Sequence, residues 1–142
     1  MLEETEGALR GAAGLPELLA TSLAAFEGIR VTARAWEDRV PELVATFMTV
    51  ADAAVEGREA VASAPSLARA PGCLPPGRVA AGADVPEVTG ALGALGMLLS
   101  RRLADGAATT AAGDRGACLA AAAAARRISA LMASDGHDGC PG

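Results

Sequence analysis

Between Leu19 and Val61, apolar or small side chains return every three or four residues. They are Leu19, Leu23, Phe26, Ile29, Ala33, Trp36, Val40, Leu43, Phe47, Val50, Ala54 and Val61, with one beat missed at Gly57. This is the period of an α-helix with one buried stripe. Leu18, Val44, Met48 and Val55 widen the stripe beyond the narrow seam of a two-stranded coiled coil, so the text reads as a bundle helix. Pro16 and Glu17 supply a sound start, because the first turn needs no N–H there and a carboxylate complements the helix dipole. Pro41 falls inside the run without shifting its phase, and no cluster of turn residues surrounds it. The reading predicts one long helix kinked near Pro41 rather than a hairpin. From residue 16 to about 62 such a helix would be about 70 Å long. That length implies an extended molecule or a partner that buries the far half.

The rest of the chain also reads as helix and break. Leu2 to Gly14 is a short helical stretch weakened by Gly7, Gly11 and Gly14. Residues 64–84 hold Pro65, Pro71, Pro75, Pro76, Gly72, Gly77 and Gly82, which predicts a long flexible Pro/Gly-rich crossover loop. Asp84 is placed to cap a helix with Pro86 and Glu87 in its first turn, running to about Ala104 and ended by Gly106. Gly90, Gly93 and Gly96 each cost about 1 kcal/mol relative to Ala in a helix, and close approach of another helix would be their use. A last helix covers about Asp114 to Ser134, with alanines at 120–125 and Leu119, Ala123, Ile128 and Leu131 on its buried side. The expected fold is therefore all-α, an antiparallel bundle of three to four main helices in a single domain over 1–134. A disordered tail, 135–142, follows. LPELLATSL (15–23) and VPELVATFM (40–48) match at five of nine positions, which reads as reuse of helix-start chemistry.

Composition removes several functions. The net charge is −5, and all 12 basic residues are Arg, because Lys is absent along with Asn, Gln and Tyr. No basic block exists to neutralise phosphates, so no nucleic-acid partner is expected. No segment reaches the ~20 apolar residues that span a bilayer, so no membrane span is expected. The acidic start MLEETEG lacks the basic and apolar parts of a signal peptide, so the expected location is the cytoplasm. Alanine supplies 36 residues, which together with all-Arg usage and high Gly suggests a GC-rich, bacterial genome. Three cysteines, Cys73, Cys118 and Cys140, are odd in number and widely spaced, unlike a disulfide framework.

Chemistry-bearing motifs are sparse. The single histidine, His137, lies in the tail with Asp135, Asp138 and Cys140. Those are metal-ligand types, but a structural zinc site needs four ligands on a fixed frame, so no metal is expected. One histidine also excludes a di-iron bundle with paired Glu-x-x-His motifs. No phosphate-binding loop is possible without lysine, and no dinucleotide fingerprint follows a strand. No catalytic residue or cofactor is assigned, and the chain is not expected to be an enzyme. Glu27–Arg30 and Arg34–Glu37 have the spacing of helix-surface ion pairs. Asp52, Glu56 and Glu59 form an acidic stripe that reads as a solvated face. Cys118 reads as a small core residue.

Residues 80–96, AAGADVPEVTGALGALG, resemble the Ala-rich helical hairpins of type VII secretion substrates. Membership would imply a Tyr-bearing export motif and a Trp-x-Gly turn. This chain has no Tyr, and Trp36 precedes Glu37 and Asp38, so no function is carried over. The surplus of apolar helix surface points instead to a non-catalytic interaction or assembly protein. It would self-associate through apolar helix faces, with a homodimer favoured. The alternative is a small-molecule binder with an apolar pocket near Phe26, Trp36, Phe47 and Met48. These four are the candidate interface or pocket residues, since aromatic side chains dominate such anchors.

Overall fold

The structure is a computed structural model that describes residues 2–12, 14–69 and 83–136. Parts of the expected crossover and of the tail, including Cys73, His137 and Cys140, lie outside the described residues. Five helices pack against one another, with no strand among the described residues. They are α1 (Leu2–Gly11), α2 (Leu15–Glu37), α3 (Val44–Ala62), α4 (Val85–Thr109) and α5 (Ala112–Gly136).

The long kinked helix expected through Pro41 is not what forms. Helix α2 stops at Glu37, a short 3-10 turn follows at Pro41–Leu43, and α3 begins at Val44. Arg58 of α3 donates to the Glu27 carboxylate of α2 at 2.6 Å, and Arg34 lies 3.7 Å from Asp52. Moving seven residues up α2 therefore means moving six residues back along α3, and the chain has reversed. The cause is local. A residue before proline is pushed out of the α region, and Val40 sits at φ −130°, ψ 88°. The amides of Arg39 and Val40 both turn back to the Trp36 carbonyl, closing α2 without glycine or asparagine. The unbroken apolar phase persists because both arms of the reversal face one core.

The second pair is α4 with α5, joined by Thr110 and Ala111. Asp84 caps α4 as expected, its carboxylate accepting the Glu87 amide at 2.9 Å. The helix runs through Gly106 to Thr109, beyond the expected end. There the Arg115 guanidinium donates to the carbonyls of Ala107 and Thr110, at 3.3 and 3.2 Å, satisfying groups that the helix end leaves open. Arg102 does the same for α1, donating to the carbonyls of Leu9 and Ala12 at 3.1 and 2.9 Å.

The glycines of α4 differ in role. A Cβ on Gly96 would lie 2.9 Å from the Ala125 carbonyl oxygen and 3.1 Å from the Ser129 nitrogen, so backbone meets backbone there. Gly93 is tight against the Met132 Cβ at 3.3 Å, whereas Gly90 has nothing within 4 Å. The close-approach reading thus holds at Gly96 and Gly93 and fails at Gly90. Gly90→Ala and Gly116→Ala, the second equally open, should each stabilise the fold by up to about 1 kcal/mol. Urea denaturation checks this, and a fall in midpoint would overturn it.

Helix α5 also packs along α3. Arg127 donates to Glu56 at 2.9 Å, and the Asp114 carboxylate accepts the Ser66 amide and hydroxyl at 2.9 and 2.6 Å. Its buried side includes Cys118, Ala121, Ala122, Ala125, Ile128 and Met132. Leu119 and Ala123, expected inside, are outside, and Leu119 is 51% exposed. The phase is set by Ile128 and Met132, which place Cys118 rather than Leu119 on the core side.

Candidate functional site

The four residues singled out from the sequence do not come together as a pocket. Phe26 and Phe47 are fully buried in the core, and Trp36 is 7% exposed. Arg39 covers the Trp36 ring, its guanidinium carbon 4.7 Å from the ring centre, in a cation–π contact. Met48, next to Phe47 in sequence, points the other way and is 45% exposed. Helical spacing explains the split. Consecutive residues lie about 100° apart, so Phe47 turns into the core while Met48 faces outward.

Two grooves open elsewhere. One, of about 480 Å³, lies between the start of α4 and the end of α5, lined by Leu43, Val85, Thr89, Gly90, Ser129 and Met132 among others. The other, of about 470 Å³, lies beside the α1–α2 junction and is lined by Ala12, Leu15, Leu18, Arg102, Asp105 and Thr110 among others. Neither is lined by Phe26, Trp36, Phe47 or Met48. The open position of Gly90 forms part of the first groove, a feature that could not be read from the sequence before the helix pairing was known. The Ser22 and Thr32 hydroxyls on α2 are buried without a hydrogen-bond partner among the described residues, and neither lines a groove.

Charged clusters lie at the surface. Glu27 accepts from both Arg30 and Arg58, which ties α2 to α3. The Arg30 hydrogen bond, helped by Arg58 and opposed by partial burial, holds the Glu27 carboxyl below its ordinary value of 4.5. A depressed folded-state value contributes stability above the unfolded value and loses it as pH falls through the folded one. Glu27→Gln should therefore lower the melting temperature at pH 7, and the difference from the unaltered chain should shrink progressively below about pH 4.5. A difference that grows in acid would overturn the assignment. Burial, then the nearby Asp114 charge, pushes the Cys118 thiol up, so this cysteine sits in the core as an unreactive small side chain. No group of three His, Cys, Asp or Glu side chains is placed to hold a metal among the described residues.

The outer surface carries the larger anomaly. Val44, Met48, Met97 and Leu119 are large apolar side chains left exposed, on α3, α4 and α5. Around Leu119 the outer face of α5 is also small and uncharged at Gly116, Ala120, Ala123 and Ala130, then basic at Arg126 and Arg127. Ala112–Ser134 is long and apolar enough to cross a membrane by length and composition, with a mean hydropathy of 1.2. Half of that window is buried inside the bundle, and a core helix passes the same test. Compared with known proteins, the chain matches no family model, no curated protein and no solved structure.

Proposed function

We propose that this chain is a non-catalytic helical interaction protein that self-associates, with a dimer as its smallest assembly. In this reading it is an antiparallel bundle of two helical hairpins, α2 with α3 and α4 with α5, joined by one long crossover. The observation that carries the proposal is the exposure of Val44, Met48, Met97 and Leu119 although the core is already filled. A surface that leaves several large apolar side chains in water gains free energy when another surface covers them. The core itself is lean, with many alanines and only Phe26, Trp36 and Phe47 as aromatics. Each alanine buries little area at roughly 25 cal/mol per Å², so association adds stability that a lone copy lacks.

Absolute mass by light scattering across a dilution series tests this. The expected species is twice 14.0 kDa, dissociating on dilution. A monomer that persists at the highest concentration would overturn it. The groove at Leu43, Val85 and Met132 favours a second reading, binding of an apolar small molecule there rather than near the aromatics. In that case a Gly90→Leu change, which fills the groove, would abolish binding of a fluorescent apolar probe and leave the mass unchanged.

A further inference from the structure

The outer faces of α3 and α5 lie side by side and carry opposite charge. On α3, Asp52, Glu56 and Glu59 are exposed together with Val44 and Met48. On α5, Arg126 and Arg127 are exposed together with Leu119. The Arg127–Glu56 contact at 2.9 Å fixes the two rows at the same height along the bundle. The pairing within the chain leaves charge over. Among the described residues no ion pair forms at Glu59 or at Arg126. Asp52 is met only at 3.7 Å, by Arg34, with its carboxylate 70% exposed.

We propose that the α3/α5 face is the contact surface for a second copy of this chain, the acidic row of each α3 lying on the basic row of the other copy's α5. The proposal rests on the self-association reading and names its surface. An acidic row beside an arginine pair at the same height becomes self-complementary under a two-fold axis that runs along the helices. That rotation carries each row onto the opposite sign at the same height, so Glu56 of one copy meets the Arg126–Arg127 pair of the other, twice over. A two-fold axis running across the helices would instead stack acid on acid and base on base. Charge therefore selects one closed, isologous arrangement and disfavours the other. Val44, Met48 and Leu119 flank the rows and supply apolar area that the contact removes from water. An acidic chain with net charge −5 repels its own copies in general, so a local basic row opposite the acidic one is what a specific contact between copies requires.

The test is a charge-reversal pair. One variant carries Glu56→Arg and Glu59→Arg, and the other carries Arg126→Glu and Arg127→Glu. Each alone presents like charge across both contacts, so its self-association should weaken by at least about tenfold. Mixed in equal amounts, the two present opposite charge at both contacts, and a dimer of wild-type stability should return. Circular dichroism confirms that each variant keeps its helix content. If either fails to fold, Glu59→Ala with Arg126→Ala, which breaks no ion pair within the chain, replaces it and should weaken the dimer. A dimeric wild type whose variants dimerise equally well would overturn this surface while leaving self-association standing. Variants that stay monomeric even when mixed would overturn the two-fold pairing. A wild type that is monomeric throughout would overturn both this proposal and the reading it rests on. The wild-type dimer should also weaken between about 50 and about 500 mM salt as exposed charges are screened, and a salt-independent dimer would count against charge as the selector.

Discussion

Gly57→Ala should destabilise the protein by about 1–3 kcal/mol, although alanine is the better helix former by about 1 kcal/mol. The sign is decided by Phe26. A Cβ at Gly57 would lie 2.6 Å from the Phe26 Cδ1, with two further ring carbons closer still, and Phe26 is fully buried. A flat ring packed on all sides cannot step back a full ångström, so α2 and α3 must part or the ring must leave its rotamer. The missed beat in the apolar stripe is thus the hole into which the facing ring fits. A double-mutant cycle isolates the contact. In a Phe26→Leu background, Gly57→Ala should become neutral or stabilising, giving a coupling of at least about 1 kcal/mol. Urea denaturation of the four proteins measures it. Gly57→Ala raising the midpoint in the unaltered background would sink the argument.

That contact also shows where sequence reasoning reached and where it stopped. Helix content, the cap at Asp84 and the stripe from Leu19 to Val61 follow from local rules, and all were legible. The reversal at Pro41 was not. A kink and a hairpin leave the same apolar phase, and the deciding evidence, Glu27 on Arg58 and Phe26 on Gly57, is tertiary. The inward side of α5 differs from expectation for another reason. Leu119 and Ile128 stand nine residues apart, about 180° round a helix, so they cannot share one side, and the six alanines between them mask the conflict. The placing of the candidate residues turns on the reversal alone. A long helix without a folded-back arm leaves its aromatic residues uncovered. Once α3 lies on α2, Phe26 and Phe47 are its core, and the residues left for contact are the flanking ones.

Phe47→Ala and Met48→Ala, at neighbouring positions on one helix, should therefore separate folding from association. Phe47 is fully buried, and truncating it leaves a ring-sized void between α3 and the helices it packs on, which costs about 3–5 kcal/mol. Against a total of about 5–15 kcal/mol for a domain of this size, that loss is large enough to populate the unfolded chain near room temperature. Met48 is 45% exposed, so its truncation should change the stability of a lone copy by no more than about 0.5 kcal/mol. The same change removes apolar area from the α3 face and should raise the dissociation constant of the dimer. Denaturation at low protein concentration reads the first effect, and light scattering across a dilution series reads the second. If Met48→Ala unfolded the protein as readily as Phe47→Ala, the rotation of α3 would be wrong. If Met48→Ala left both stability and mass untouched, the α3 face would not be where a second copy sits. Because Asp52 and Glu59 lie on the same face, combining Met48→Ala with high salt should weaken the dimer further than either alone, as expected when one surface carries both the apolar and the charged part of a contact.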